Sequence, residues 1–361
     1  MAIKTKYFER WVDKVPQATD KVMAITGTTS GIGYWTSVFA IRKNVKALLL
    51  LNRASSRAEE AFQKLEEEKK LCGSTTILYK VELDLMSFES VKKAAEQVNE
   101  LSKELGGLNI LANNAGFGPV SDFRTDDGYD AQMQVNHLSH LLLTKSVFPS
   151  FDIALENGKE VRICQQSSGV RYMQKTAHEE KFFKKTAKGT LGGDGVNAGN
   201  ERYHQTKLAA ITFALEFSKK LKEKGYDTNQ IKSLCAEPGF SETNLVSNSA
   251  SGNTWLLGHL SKVVIWVMSL FMKRQSAADG ALPLSHACFA EDISNGDFIM
   301  PNEYHVGTPT KSIAEGKLAN GKAENEALGL DVNNQELCWR MSEEVLGDIF
   351  EFAKSKELSK N

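Results

Sequence analysis

A tyrosine and a lysine four positions apart are the side chains most suited to moving a proton. Tyr203 and Lys207 lie in a stretch whose pattern predicts a helix, so they share one helix face. The unperturbed pKa of a tyrosine hydroxyl is about 10, and an adjacent ammonium group favours the phenolate. We expect Lys207 to bring the pKa of Tyr203 toward the pH at which a general acid or base works best. Alone, the pair has little specificity, because a tyrosine at a helix start is usually just a half-buried amphipathic residue.

Three glycines follow the first apolar run of the chain and open a helical pattern. They come directly after residues 22–26, which predict a strand. Glycines at this spacing let the backbone approach a pyrophosphate, and the N-terminus of the next helix offers unpaired N–H groups. A tight turn without a ligand is the alternative, but the position between strand and helix favours a dinucleotide. The cofactor contacts would come from Gly27, Thr29, Ser30, Gly31, Ile32 and Gly33.

Five further motifs follow in a fixed order along the chain. They are Asp84-Leu85, Asn113-Asn114-Ala115-Gly116, Asn136, Ser167-Ser168, and Pro238-Gly239 with Thr243. With the glycine pattern T-G-x-x-x-G-I-G and the Y-x-x-x-K pair, they resemble the motif set of the short-chain dehydrogenase/reductase family. The resemblance covers residues 20–300, and retinol dehydrogenase-like members carry a comparable long insertion before the tyrosine.

The resemblance implies a role for each motif. Tyr203 would be the general acid/base, and Lys207 would also hold the nicotinamide ribose. Ser168, the later of the two serines as is usual in the family, would hydrogen-bond the substrate oxygen and stabilise its developing charge. Asn136 would hold a water that links Lys207 to solvent. Further cofactor contacts would come from Asp84, which would accept from the adenine amino group, and from Leu85, Asn114, Ala115, Gly116, Pro238, Gly239 and Thr243.

The second predicted strand ends without a carboxylate. An acidic residue there would bind the adenosine ribose and repel a 2′-phosphate. Here the strand ends in Leu51-Asn52-Arg53, and Arg53 can pair with a phosphate in a forked geometry. The alternative is a solvated surface arginine. The pattern favours NADP(H), with reduction as the cellular direction.

Strand and helix patterns alternate from residue 22 to residue 299, which predicts one α/β domain. Unbroken apolar runs such as 47–51 are typical of strands covered on both faces. The expected architecture is a Rossmann-type doubly wound parallel sheet with helices on both faces. Residues 1–300 would form the catalytic domain, including a lid at 244–276, and 301–361 a C-terminal extension packed on it. We expect 169–200 to be a surface loop, and helix beyond residue 301 only at 335–354.

Residues 255–272 are nearly all apolar. Lys262 in the middle argues against a membrane-spanning helix. The segment is a buried lid, a lipophilic substrate mouth, or a contact with a membrane surface or a second subunit in a homo-oligomer. A bulky lipophilic carbonyl or alcohol of the retinoid or steroid kind is the expected substrate.

The bulk composition limits the remaining possibilities. The net charge of −1 gives no reason to expect nucleic acid as a partner. The five cysteines are scattered without metal-ligand spacing, which indicates free thiols and no metal site. The N-terminal residues lack the apolar run of a signal peptide, so a cytoplasmic location is expected, and membrane association through 255–272 stays open. Two alternatives to carbonyl or alcohol chemistry also stay open: reduction of a carbon–carbon double bond, and a nonenzymatic NADP-binding sensor.

Overall fold

A nine-stranded sheet forms the centre of the computed structural model, which describes residues 4–241 and 274–354. The strand order is β3-β2-β1-β4-β5-β6-β7-β8-β9. Strands β1 to β7 pair in parallel, whereas β8 and β9 pair antiparallel. The strands are β1 Val22–Thr26, β2 Ala47–Asn52, β3 Ile77–Glu82, β4 Ile110–Asn113, β5 Val161–Gln166, β6 Ile231–Ala236, β7 Phe298–Pro301, β8 Pro309–Ala314 and β9 Lys317–Leu318. The predicted doubly wound α/β class is confirmed.

Helices cover both faces of the sheet. Before β5 they are α1 Phe8–Lys14, α2 Gly31–Arg42, α3 Ser56–Leu71, α4 Phe88–Leu105, α5 Ala131–Met133, a π-helix Gln134–Leu138, α6 Ser139–Ser146 and α7 Phe148–Glu156. After β5 they are the 3-10 helices Gly169–Met173 and Glu180–Phe182, then α8 Val196–Glu223, α9 Ala277–Gly280, α10 Leu282–Phe289, α11 Ala323–Leu330 and α12 Val332–Leu346. No helix in the two described stretches is long and apolar enough to cross a membrane.

The central strands are apolar on both faces because each face has its own core. In β1, Val22 and Ala24 pack in one cluster, and Met23 and Ile25 pack in the other. This alternation follows from the period of two in a strand. All five residues of β1 are buried, which explains its unbroken apolar run.

The segment 169–200 is not a surface loop, contrary to the sequence-based prediction. It contains two 3-10 helices and the first turn of α8, and it buries Arg171, His178, Phe182 and Phe183. The lysine and glycine content that suggested a loop belongs mainly to 184–195. The apolar pair at 182–183 is too short to show a helical or strand period, so the pattern concealed its burial.

The region beyond residue 301 is also more ordered than expected. Strands β8 and β9 extend the sheet, and α11 precedes the predicted last helix. The edge strands are short and half polar, so they give a weak periodic signal. On α12, Trp339 stacks on Phe213 of α8 with ring centroids 5.3 Å apart, so this region packs directly on the helix that contains Tyr203 and Lys207. The apolar segment 255–272 and most of the expected lid lie outside the described residues.

Candidate active site

The glycine turn between β1 and α2 has no room for side chains. Gly27 and Gly31 have φ angles of +75° and +60°, which favour glycine. A Cβ on Gly33 would lie 2.2 Å from the carbonyl oxygen of Gly27, and one on Gly27 would lie 2.8 Å from Cβ of Ala115. The turn is therefore built for close approach of backbone to backbone or to a ligand.

The N-terminus of α2 lacks a capping side chain. Ser30 is the N-cap residue but makes no side-chain cap hydrogen bond, and the first turn carries no acidic residue. Its free N–H groups suit an anion. Ile32, by contrast, buries its side chain in the core and can offer only backbone atoms. Thr29 and Ser30 face a cleft of about 320 Å³ whose other lining residues are Tyr34, Arg57, Glu60, Ala61 and Lys64.

Asn52, which the sequence reasoning did not assign to the site, locks the end of β2 to the glycine turn. Its Oδ1 accepts from the N–H of Thr28 at 2.8 Å, and its Nδ2 donates to Thr28 Oγ1 at 2.7 Å. The next residue, Arg53, is exposed, and its guanidinium makes no ion pair among the described residues. The end of β2 is thus neutral at Asn52 and positive at Arg53.

The two residues expected near the adenine differ in exposure. Asp84 is partly exposed, and its Oδ1 accepts from the N–H of Met86 at 3.0 Å. Leu85 is buried, and its carbonyl accepts from Ser139 Oγ at 2.7 Å. Only Asp84 presents a polar side chain toward solvent.

The N-N-A-G motif after β4 supports the glycine turn directly. Asn114 Nδ2 donates to the carbonyls of Thr26 and Gly27 at 2.9 and 3.2 Å. A Cβ on Gly116 would lie 2.8 Å from Asn136 Oδ1, so this glycine lets the motif approach the π-helix. The motif therefore joins the predicted cofactor turn to the predicted catalytic residues.

His140, a second residue that the sequence reasoning missed, extends this connection. Thr26 Oγ1 accepts from the N–H groups of Asn114 and Ala115 at 3.0 and 2.9 Å. Because both lone pairs of Thr26 Oγ1 are used, the Thr26 hydroxyl donates its hydrogen to His140 Nε2, at a distance of 2.9 Å. His140 Nδ1 then carries the proton and faces the carbonyl of Asn136 at 3.5 Å. Complete burial lowers the pKa of His140 to about 3, so the ring is neutral. Its position in the middle of an apolar helix gave no functional signal.

Asn136 holds two segments together. It lies in the π-helix, an irregularity that is frequent at functional sites. Its Nδ2 donates to the carbonyl of Phe117 and to Thr206 Oγ1, both at 3.1 Å, and its Oδ1 accepts from the N–H of Phe117 at 3.1 Å. The water expected between Asn136 and Lys207 stays a prediction. It would use the main-chain carbonyl, since the side-chain amide is engaged.

The two serines after β5 have different environments. Ser167 is buried, and its Oγ donates to the carbonyl of Lys207 at 2.7 Å, which makes it a structural link. Ser168 is partly exposed and lies close to Tyr203, where it opposes the rise in the pKa of that tyrosine that burial causes. The long insertion between them therefore folds so that Ser168 lies close to Tyr203.

Tyr203 and Lys207 share the buried face of α8. Lys207 Nζ lies 5.9 Å from the Tyr203 ring centroid and donates to the carbonyl of Gln166 at 3.0 Å. Burial raises the pKa of Tyr203 to about 12 and lowers the pKa of Lys207 to about 8. The pKa of Tyr203 is thus raised rather than lowered, because desolvation of the phenolate outweighs the effects that favour it.

The turn after β6 is fixed by close packing and by two hydrogen bonds. Gly239 has a φ angle of +61°, and a Cβ there would lie 2.5 Å from the carbonyl oxygen of His305. The carbonyl of Pro238 accepts from Ser241 Oγ at 2.6 Å and from Gln275 Nε2 at 2.8 Å. Thr243 lies outside the described residues. In the described part of the chain, no group of three or more His, Cys, Asp or Glu could hold a metal ion.

Known proteins resemble this chain in sequence and in fold. The family model for short chain dehydrogenases matches residues 21–178. A short-chain dehydrogenase/reductase of Armillaria gallica is 32% identical over 301 residues, which cover 81% of this chain and 85% of that protein. The chain belongs to the short-chain dehydrogenase/reductase family. It is therefore an oxidoreductase of that family, and the resemblance found in the sequence is confirmed.

Two other relatives extend the comparison. The short-chain dehydrogenase/reductase dpchH of Colletotrichum higginsianum is 34% identical over 284 residues, covering 78% of this chain and 66% of that protein. A polyprenol dehydrogenase of Danio rerio is 26% identical over 337 residues, covering 92% of this chain and 89% of that protein.

Solved structures of low sequence identity share the fold. An uncharacterized protein from Mycobacterium paratuberculosis has a TM-score of 0.64 at 20% identity, covering 93% of this chain and 96% of that chain. A short chain dehydrogenase from Burkholderia cenocepacia, in complex with NADP, has a TM-score of 0.53 at 19% identity, covering 79% and 97%. At these identities the likeness concerns the fold.

Proposed function

We propose that this short-chain dehydrogenase/reductase reduces a lipophilic carbonyl compound with NADPH. The observation that carries the proposal is that Ser168 lies close to Tyr203, while Lys207, one turn further along α8, has its Nζ 5.9 Å from the Tyr203 ring centroid. The glycine turn and the uncapped N-terminus of α2 fit a dinucleotide, because one excludes side chains and the other attracts an anion. When bound, the reduced cofactor supplies a hydride to the carbonyl carbon.

The residues of the chain would supply the proton and its control. A pKa of about 12 keeps Tyr203 protonated near neutral pH, so its hydroxyl is a donor for the substrate oxygen. Ser168, partly exposed beside it, would donate to the same oxygen and stabilise its developing charge. Because oxidation needs the phenolate, this protonation state favours reduction.

Replacing the phenol tests the mechanism. Tyr203→Phe should lower turnover by more than about 100-fold, because the general acid is lost, while NADPH binding stays nearly intact. NADPH consumption over a panel of ketones and aldehydes gives the turnover, and fluorescence titration gives the binding. Tyr79→Phe, at a half-buried tyrosine on β3, is the matched control and should leave both unchanged. Activity of Tyr203→Phe within tenfold of wild type would contradict the role.

The preference for NADPH rests on the end of β2 and the adjacent cleft. Asn52 is neutral and engaged with Thr28, so no carboxylate repels a 2′-phosphate there. Arg53 is exposed and unpaired among the described residues, and Arg57 and Lys64 line the cleft against a single carboxylate, Glu60. The local balance is positive.

Reversing the charge at Arg53 tests this preference. Loss of one charge-assisted hydrogen bond costs about 1.5–3 kcal/mol, so Arg53→Asp should raise the Kd for NADPH by roughly 10- to 150-fold. The Kd for NADH should change little. Lys103→Asp, the same charge change in α4, should affect neither Kd. Equal binding of both cofactors to the unmodified protein would contradict the proposal.

The lipophilic character of the substrate is supported by exposed apolar side chains that are close in sequence to the proposed catalytic residues. Met173, five residues after Ser168, is 64% exposed, and Val196, seven residues before Tyr203 on α8, is 61% exposed. A spacing of seven puts Val196 on the same helix face as Tyr203. The likeness to a polyprenol dehydrogenase and the apolar composition of 255–272 agree with this direction.

Kinetics on matched long-chain and short-chain carbonyls test it. Met173→Glu and Val196→Glu should raise KM for the long-chain compound and spare the short-chain one. Leu71→Glu, at an apolar residue 83% exposed at the end of α3, is the control. Equal losses on both compounds would show that these residues do not select lipophilic substrates.

A further inference from the structure

A buried ion cluster lies next to the segment that contains Ser168. Arg171, in the 3-10 helix that follows Ser168, donates through Nη1 to Glu237 and through Nη2 to both carboxylate oxygens of Glu326 at 2.8 Å. All three side chains are almost completely buried. None of them has a role in the proton transfer described above.

Neighbouring groups hold the cluster in one arrangement. Tyr172 donates its hydroxyl to Glu237 Oε1 at 3.0 Å, and Ser312 donates its hydroxyl to Glu326 Oε1 at 2.6 Å. The Arg171 guanidinium lies 4.1 Å from the Tyr172 ring centroid and 4.4 Å from that of Phe298. Such a buried, two-sided clamp on a planar cation restricts its rotation and its position.

Burial of this kind is a weak source of stability. Charges taken out of water carry a desolvation cost that pairing often only balances, and apolar residues can replace such clusters without loss. Here two carboxylates face one guanidinium, and burial raises the pKa of Glu237 while Arg171 opposes that rise. The cluster is therefore better explained by the geometry that it imposes than by stability.

The cluster joins three segments that meet at the active site. The N–H of Arg171 donates to the carbonyl of Ser168 at 3.1 Å, which places the backbone of Arg171 one turn after the serine. Glu237 directly precedes the Pro238-Gly239 turn after β6. Glu326 belongs to α11, in the region beyond residue 301. One cation thus sets the spacing between the serine segment and the turn after β6, and α11 anchors that cation.

We propose that Arg171 is a positioning residue that aligns Ser168 with Tyr203, and that Glu326 completes the active site from the C-terminal region by holding Arg171. The inference rests on the proposed role of Ser168. It assigns a functional part to a region that otherwise only extends the sheet and packs on α8.

Glu326→Gln is the sharpest single perturbation. It keeps the size of the side chain, but one of its two acceptors becomes a donor that faces the donating guanidinium. Turnover with NADPH and the carbonyl compound found by the panel should fall roughly 10- to 100-fold, as for a misplaced reacting group. The Kd for NADPH should stay within about threefold, because the glycine turn is untouched. Arg171→Lys keeps the positive charge but lacks the paired N–H groups of the guanidinium. Its turnover should lie between that of wild type and that of Arg171→Met.

A double-variant comparison separates positioning from a general structural effect. If Arg171 and Glu326 act through Ser168, then Ser168→Ala with Glu326→Gln should be no slower than Ser168→Ala alone. Multiplicative losses would overturn the proposal, as would unchanged turnover in Glu326→Gln. Glu344→Gln, which breaks an exposed pair with Arg340 on α12, is the control and should leave turnover unchanged.

Two further outcomes are distinguishable. If Ser168→Ala alone keeps full turnover, the proposed role of the serine fails, and the positioning role fails with it. If Glu326→Gln does not fold, Ser312→Ala and Arg171→Lys are each combined with Ser168→Ala in the same comparison. Multiplicative losses of turnover in both combinations would overturn the proposal. Circular dichroism melting of each variant shows which case applies.

Discussion

Adding one methyl group at Gly33 should weaken NADPH binding at the proposed cofactor turn without lowering the stability of the rest of the fold. The Cβ of Gly33→Ala would lie 2.2 Å from the carbonyl oxygen of Gly27 and 2.5 Å from Nδ2 of Asn114. Contacts of a Cβ below 3.0 Å essentially never occur, so 3.0 − 2.2 = 0.8 Å of movement is the minimum. The obstacle is backbone, which a rotamer change cannot relieve.

The size of the effect follows from that movement. Overpacking of this kind costs about 1–3 kcal/mol. If the turn between β1 and α2 takes up the strain, the cost appears in cofactor binding, and the Kd for NADPH rises roughly 5- to 150-fold. We expect the turn to move because residues 27–30 lie between β1 and α2 and belong to neither.

Fluorescence titration with NADPH and a thermal melt of the same sample are the assay. Gly195→Ala is the matched control, because that glycine has a φ angle of −62° and no atom within 4 Å of the point where a Cβ would lie. It should match wild type in both measurements. A Gly33→Ala protein whose Kd is unchanged while its melting temperature drops would refute the reasoning, because the core would then have absorbed the strain.

Two predictions concern pH. Burial lowers the pKa of His137 and His140 to about 3 and that of His178 to about 4. As the pH falls below about 6.5, these histidines therefore take up protons in the unfolded chain before they do so in the folded protein. Each histidine should then lower the free energy of unfolding by roughly 2 kcal/mol at pH 5. Equal melting temperatures at pH 7.5 and pH 5 would contradict this. Burial lowers the pKa of Lys207 to about 8, so its ammonium is lost above that pH, and NADPH affinity should fall between pH 7 and pH 9.5. Lys207→Arg should abolish that fall, and a flat profile in the unmodified protein would exclude Lys207 as the titrating group.

The sequence by itself determined the family, the sheet class and the glycine turn after β1. These features depend on local rules that act wherever the chain is placed. A strand buried on both faces needs an unbroken apolar run such as β1, and a turn with two positive φ angles needs glycine at 27 and 31. The order of the motifs then adds information that no single motif contains.

Only the tertiary structure decided how the site residues are used. Ser167 and Ser168 are the same residue type, and they differ because one meets the carbonyl of Lys207 and the other meets Tyr203. Burial also raises the pKa of Tyr203, and spacing shows a neighbouring charge but not the depth of burial. Arg171 and Glu326 are 155 positions apart. Desolvation and long-range pairing depend on which distant segments exclude water from a group, and the local pattern of the chain carries no record of that.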